Sequence, residues 1–167
     1  MQTEAEIESG VRSALEALDI SYEWIEIDPD YADTAQFCER YGYTLEESGN
    51  TIIVASKRGE KKFCACIVSG VDRLDVNKTV RRLMGLSRAS FASPEDTVEL
   101  TGMLIGGVTP FALPRELPIY VDEKLRSLGS IILGSGSRSA KIKIAFDELA
   151  KIPGVEFIEG LSMPPRE

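Results

Sequence analysis

The sequence predicts an α+β fold built on a mixed, largely antiparallel sheet. Three observations lead there. Short β-rich runs outnumber the stretches with helical apolar spacing. Two hairpin-like strand pairs break the strict β-α-β alternation that a parallel sheet would need. The chain has 167 residues, 43 % hydrophobic and 28 % charged, which is the make-up of an ordinary globular chain long enough to bury a core as one domain, 1–167.

The elements follow in order. Thr3 and Glu6 fit a capping box, and Ile7, Val11, Ala14, Leu15 and Leu18 continue at helical spacing, so a helix is expected over 4–18. Tyr22, Trp24 and Ile25 to Ile27 form a strand that Pro29 ends. A short helix covers 33–41 with Asp33 or Thr34 as cap. Thr51 to Ala55 and Phe63 to Val68 make a hairpin around the basic tip Lys57-Arg58-Gly59-Glu60. Asp75 caps a helix that closes near Gly85. Ala89 to Ala92 is a short strand, and Ser93-Pro94-Glu95-Asp96 starts a helix that Gly102 stops. Leu117 to Val121, Ser130 to Leu133, Lys141 to Phe146 and Val155 to Ile158 are strands, the last of them closing the fold. Asp122 caps one helical turn and Asp147 another. The tail from Met163 to Glu167 is expected to fray.

Composition excludes several chemistries. The chain has no histidine, so it has no Ser-His-Asp triad, no Cys-His dyad and no imidazole zinc ligand. Three cysteines are too few for a Cys-only zinc site and argue against a disulfide framework. Cys64 and Cys66 share one face of a strand, which suits buried thiols. No run of 18 apolar residues exists, and the start, Met1-Gln2-Thr3-Glu4, is acidic where a signal peptide is basic and then apolar. The expected location is the cytoplasm, with no membrane partner.

The formal net charge of -8 speaks against general nucleic-acid coating, and no DNA partner is expected. The charge is uneven, however. Residues 1–56 hold thirteen acidic and two basic residues, whereas 57–88 hold nine basic and three acidic. Two readings of the basic block stand: a solvated hairpin tip with a polar helix face, or a local patch that meets phosphates.

Two loops carry chemical potential. In Gly102 to Phe111, glycines and a proline bracket a loop whose amides could approach a carbonyl or oxyanion. In Gly134-Ser135-Gly136-Ser137-Arg138, glycines and serines could cradle a phosphate beside Arg138. Each also suits a plain turn or hairpin loop. Asp122 suits a cap as well as an acid.

Together these stretches resemble the YbaK family, also called the prolyl-tRNA-synthetase-associated domain. The resemblance rests on Thr51-Ile52-Ile53-Val54, on Val71-Asp72-Arg73-Leu74-Asp75 with Lys78, on the G-x-x-x-P spacing of Gly106 to Pro110, and on Leu117 to Asp122 followed by Gly134 to Arg138. They occur in the family's order over nearly the whole chain.

The resemblance implies a curved mixed sheet with helices outside and a pocket at one end. It implies hydrolysis of the ester between a wrong amino acid and its tRNA, with no metal or organic cofactor. The implied partner is the aminoacylated 3′ end of a tRNA, with an aminoacyl-tRNA synthetase as a second candidate. Typical substrates carry small amino acids such as Ala or Cys. It points to Asn50, Gly106 and Gly107 for catalysis, and to Thr51, Thr109, Pro110, Asp122, Ser135 and Arg138 for substrate binding. Lys57, Arg58, Lys61 and Lys62 are the candidate tRNA contacts. Editing members usually carry a lysine just before the strand that Thr51 begins. Here Asn50 stands there on one alignment and Gly49 on another, and neither is charged. That departure sustains an alternative, a non-catalytic homologue that binds an aminoacyl or nucleotide-like ligand.

Overall fold

A computed structural model describes residues 2–166. Helix α1 (Glu4–Ala17) opens on the reciprocal cap: the Thr3 hydroxyl accepts the Glu6 amide, and the Glu6 carboxylate accepts the Thr3 amide. Strand β1 (Glu23–Glu26) is followed by one 3-10 turn, Pro29–Tyr31, and helix α2 (Thr34–Tyr41), which ends on Gly42 at φ 80°. Strands β2 (Gly49–Ser56) and β3 (Phe63–Ser69) form the hairpin, longer than expected at both ends. After β4 (Arg73–Leu74), Asp75 accepts the Lys78 amide. The turn it starts, Val76–Val80, is π-wound before it tightens into α3 (Arg81–Met84). Strand β5 (Ala89–Phe91) and helix α4 (Pro94–Thr101) follow, the helix capped by Ser93 and ended by Gly102. Then come β6 (Ile119–Asp122), β7 (Ser130–Gly134), β8 (Ala140–Ala145), β9 (Val155–Ile158) and β10 (Ser162–Met163).

These strands form two main sheets. One has the order β5-β2-β3-β6-β9, antiparallel through β3 and parallel from β3 to β9. The other, β1-β8-β7, is antiparallel throughout. A parallel bridge between Ser48 and Ile132 joins the start of β2 to β7. The main core lies along α1, where Val11 and Leu15 meet Ile67, Ile131, Leu133 and Ile142. A second apolar layer, with Val54, Cys64, Cys66 and Tyr120, covers the other face of the larger sheet. A third, with Phe37, Cys38 and Ile132, lies under α2.

The α+β class and the mixed sheet are as the sequence predicts. Three local expectations change. Asp147 is not a cap: the 3-10 helix starts one residue earlier, at Phe146, with Ala145 before it. Val155–Ile158 is not the last strand, because Ser162 and Met163 pair with Leu74 and Arg73. Nor does the tail fray at Met163, since that pairing and the Arg73 bond to the Pro164 carbonyl hold it. Glu167 lies outside the described residues.

Candidate functional site

A cavity of about 340 Å³ opens at the seam between the two sheets. Its floor is the first half of β2, from Gly49 to Ile53, and α2 with its cap supplies Asp33, Thr34 and Phe37. Ile132, Leu133 and Gly134 of β7 and Lys141 of β8 form a second wall. Ile105, Gly106 and Val108 form a lip, with Phe91 and Ala92 at the outer rim. Phe91 is 60 % exposed and Ile105 is 46 % exposed, so the mouth is flanked by two apolar side chains open to solvent.

The lip is made by glycines used in two ways. Gly106 sits at φ 90°, where a side chain would be strained, and a Cβ there would collide with the Arg138 guanidinium. The Gly107 amide is spent on the Leu104 carbonyl, at 2.9 Å. Among the described residues the amides of Gly106 and Val108 find no acceptor. Two amides of cavity-lining residues are therefore left without a protein acceptor.

The second glycine-rich loop packs onto this lip instead of forming a separate cradle. The Gly136 amide donates to the Gly107 carbonyl, and the Leu104 amide donates to the Gly136 carbonyl. A Cβ on Gly134 would collide with the Gly107 and Val108 carbonyls, and one on Gly107 with the Ser137 carbonyl. The two backbones touch because neither carries a side chain there. Ser135 and Ser137 are buried, bond to each other, and Ser137 donates to Glu8 of α1. Arg138 reaches across the lip to Asp33 at 3.2 Å, the Ile105 carbonyl at 3.1 Å and the Pro29 carbonyl at 3.2 Å. It ties the lip to the start of α2.

Asn50, Thr51 and Gly106 all line the cavity. The Asn50 carbonyl oxygen accepts from the Thr34 hydroxyl at 2.8 Å, which leaves its amide nitrogen for a ligand. The Thr51 hydroxyl is buried without a partner, and a bound polar group would satisfy it. Gly107, Thr109, Pro110, Asp122, Ser135 and Arg138 lie outside the lining. Thr109 is buried behind the lip, its hydroxyl also unpartnered. Pro110 lines a second hollow with Leu18 and Phe111. Asp122 is buried at the end of β6, where it accepts from the Lys124 amide and the Ser162 hydroxyl. It acts there as a cap, with no access to the cavity.

Lys57, Arg58, Lys61 and Lys62 are exposed at the hairpin tip, and Lys61 pairs with Asp96 at 3.1 Å. The thiols stand apart from the cavity. Cys64 and Cys66 are buried on the far face of the larger sheet, and the Cys64 contact and burial push the Cys66 thiol up. Cys38 bonds to Ser48 at 3.3 Å. Among the described residues no three Cys, Asp or Glu side chains converge to hold a metal.

A charge absent from Asn50 arrives by another route. Lys141 pairs in register with Gly134 on one side and Ile25 on the other, so its side chain leaves the sheet on the α2 face. Its ammonium lies over the Phe37 ring, 5.5 Å from the ring centre, and 3.4 Å from the Gly106 carbonyl. Burial brings its pKa down to about 8, with Asp33 opposing and Arg138 adding to the shift. Sequence reasoning assigns no role to Lys141. It sits between Ala140 and Ile142, where alternation reads as a solvent-facing residue. Phe37 of α2 and the Gly106 lip cover it.

Comparison with known proteins fits this geometry. The family model of the aminoacyl-tRNA editing domain matches residues 28–152. The chain is similar to YwhH of Bacillus subtilis, an uncharacterized protein, at 31 % identity over 75 % of this chain and 78 % of that one. It is similar at 22 % identity to EbsC of Enterococcus faecalis, proposed as a Cys-tRNA(Pro)/Cys-tRNA(Cys) deacylase, over 78 % of this chain and 77 % of that one. In fold it matches the crystal structure of a proposed trans-editing enzyme for prolyl-tRNA synthetase, with TM-score 0.80 and 24 % identity over 95 % of this chain and 98 % of that one. With cavity, glycine lip and the match over 28–152 in agreement, the chain belongs to the aminoacyl-tRNA editing domain family.

Proposed function

We propose that this chain is a trans-acting deacylase, which hydrolyses the ester joining a wrong, small amino acid to the 3′ end of a tRNA. The observation that carries the reading is the lip: two amides without acceptors border a cavity that holds no histidine and no free thiol. An aminoacyl ester is already activated. It needs to be held, its carbonyl polarised, and water brought to it. The water oxygen attacks the carbonyl carbon, and the carbon–oxygen bond to the ribose breaks. A proton passes to the ribose oxygen, leaving a free amino acid and an uncharged tRNA. The Gly106 and Val108 amides are the donors for the oxygen that turns negative, while Asn50 and Thr51 orient the acyl end.

A second, hydrolytic site makes sense for small side chains, because one methylene gives a synthetase only about 1–3 kcal/mol of discrimination. The proposal that EbsC acts on Cys-tRNA supports a small acyl group here as well. In this reading residues 1–167 act as one domain, with a synthetase as a further partner. The basic tip meets tRNA phosphates. Lys57 lies seven residues along the hairpin strand from Asn50, roughly 23 Å at about 3.3 Å per residue. That span suits a tip lying over the acceptor stem while the 3′ end occupies the cavity.

The test is direct. The purified protein is incubated with tRNAs charged with Ala, Cys, Ser, Thr and Pro, and ester loss is followed against buffer. Faster loss of one or two of them supports the reading and names the acyl group. No acceleration across the panel would leave a binding protein instead.

A further inference from the structure

Lys141 is a buried cation that forms no ion pair. Its nearest polar contact is a lip carbonyl, and no carboxylate lies within salt-bridge distance among the described residues. Burying an ammonium without a counter-charge is unfavourable, and the fold does not require it: an apolar side chain would pack against Phe37 at least as well. Several features hold the ammonium at the cavity all the same. The facing residue in β7 is Gly134, and the Gly107 and Val108 carbonyls occupy the place of its missing side chain, so the lip backbone lies against the strand beside the lysine. Phe37 stacks on Tyr43, with ring centres 5.2 Å apart, and the ammonium lies over the Phe37 ring. Asp33 stands close enough to favour the charge, yet its carboxylate is held by Arg138. The orphaned Thr51 hydroxyl lines the same cavity.

We propose that Lys141, as the ammonium, is the cationic contact of the cavity and binds the oxygens of the terminal ribose and its acyl carbonyl. This deepens the deacylase reading and rests on it for the identity of the ligand. Bound oxygens would supply acceptor lone pairs to an ammonium whose one hydrogen-bond partner among the described residues is the Gly106 carbonyl. The ammonium would also stand beside the Gly106 lip, where negative charge develops during ester cleavage. The charged groups facing it are Asp33 on α2 and Arg138 on the lip side, with the Cys38 thiol behind it. Asp33 favours the ammonium, and Arg138 and burial oppose it. A ligand that binds the ammonium should therefore lose affinity as pH rises through about 8.

The test uses the full chain and two readouts. The first is calorimetric binding of adenosine carrying lactic acid through a 3′-amide, a probe with no cleavable ester and no titratable amine. For the wild type, affinity should fall about tenfold between pH 7 and pH 9, the fall expected when a required proton is lost from a group that titrates near 8. Lys141→Met should bind on the order of 10-fold or more weakly at pH 7, with no step at pH 8. Lys141→Arg, which keeps its charge, should hold its affinity to pH 9. The second readout is single-turnover deacylation, which Lys141→Met should slow by about 10²-fold. Thermal melting checks that each variant is folded.

The outcomes separate the two ideas. Equal binding and equal turnover by wild type and a folded Lys141→Met would overturn the Lys141 proposal while leaving the deacylase reading standing. A pH step in binding that Lys141→Met abolishes, with no turnover by any form, would keep Lys141 as the contact and remove the hydrolase. Lys141-dependent turnover that rises above pH 8 would make the neutral amine the working form and overturn the proposal as stated.

Discussion

A single buried lysine sets the clearest stability signature at the level of the residue. The Lys141 pKa falls from the ordinary lysine value of 10.5 to about 8, mostly through burial. At about 1.36 kcal/mol per pKa unit, keeping it charged at neutral pH opposes folding by on the order of 3 kcal/mol. The unfavourable contribution is fully present below about pH 8, where both states are protonated. Between about 8 and 10.5 the unfolded chain binds more protons, so stability rises with pH and the penalty fades. Lys141→Met is therefore expected to be more stable than wild type at pH 7, by about 1–3 kcal/mol in urea denaturation, with the gap narrowing towards pH 10. A Lys141→Met variant less stable at pH 7 would mean that the ammonium serves the fold. Gly106 could be found from the sequence because glycine spacing is a local signal, while Asn50 and Thr51 come from the family resemblance around the first core strand. Lys141 could not, because its burial depends on α2, which lies about a hundred residues away in the chain.

The elements that shape the site are recognisable singly, and their meeting is not. The hairpin of β2 and β3, the cap at Thr3 and the helix stops at Gly85 and Gly102 all follow from local sequence. The two glycine-rich loops also stand out, but each suggests a cradle of its own. Packed together they form one lock, in which Gly107 and Gly134 carry backbone against backbone. The strand pair β4–β10 is missed for a similar reason, since two-residue strands carry no periodicity. The lock makes a specific prediction. Gly134→Ala drives a methyl into the Gly107 and Val108 carbonyls, so it should destabilise the chain by about 1–3 kcal/mol and displace the lip. Gly129→Ala serves as a control outside the lock, since only its φ of 80° resists a side chain and no atom stands in the way. If the two variants melted alike and Gly134→Ala kept full turnover, the lip would not depend on the lock.

At the scale of the molecule, the uneven charge organises the approach of an acidic polymer to an acidic protein. The first 56 residues, with thirteen acidic groups, repel a phosphate backbone, while the exposed tip attracts it. Lys61 is engaged with Asp96, which leaves Lys57, Arg58 and Lys62 as the freer cations. Reversing those three to glutamate should raise KM for charged tRNA several-fold. It should also flatten the salt dependence, by about 0.7–0.9 in log–log slope for each phosphate that is no longer neutralised. Binding of the small lactyl-adenosine probe should not change. An unchanged KM would return the tip to a solvated hairpin end.

The central question is whether this cavity lets water cleave the acyl ester of a charged tRNA. The decisive measurement is deacylation of the best panel substrate in ¹⁸O-labelled water, with the released amino acid weighed by mass spectrometry and the tRNA recharged. Hydrolysis in the cavity gives enzyme-dependent release, one solvent oxygen in each freed carboxylate, and a tRNA that accepts an amino acid again. No release above buffer, or an amino acid released still attached to a nucleotide fragment, would contradict it.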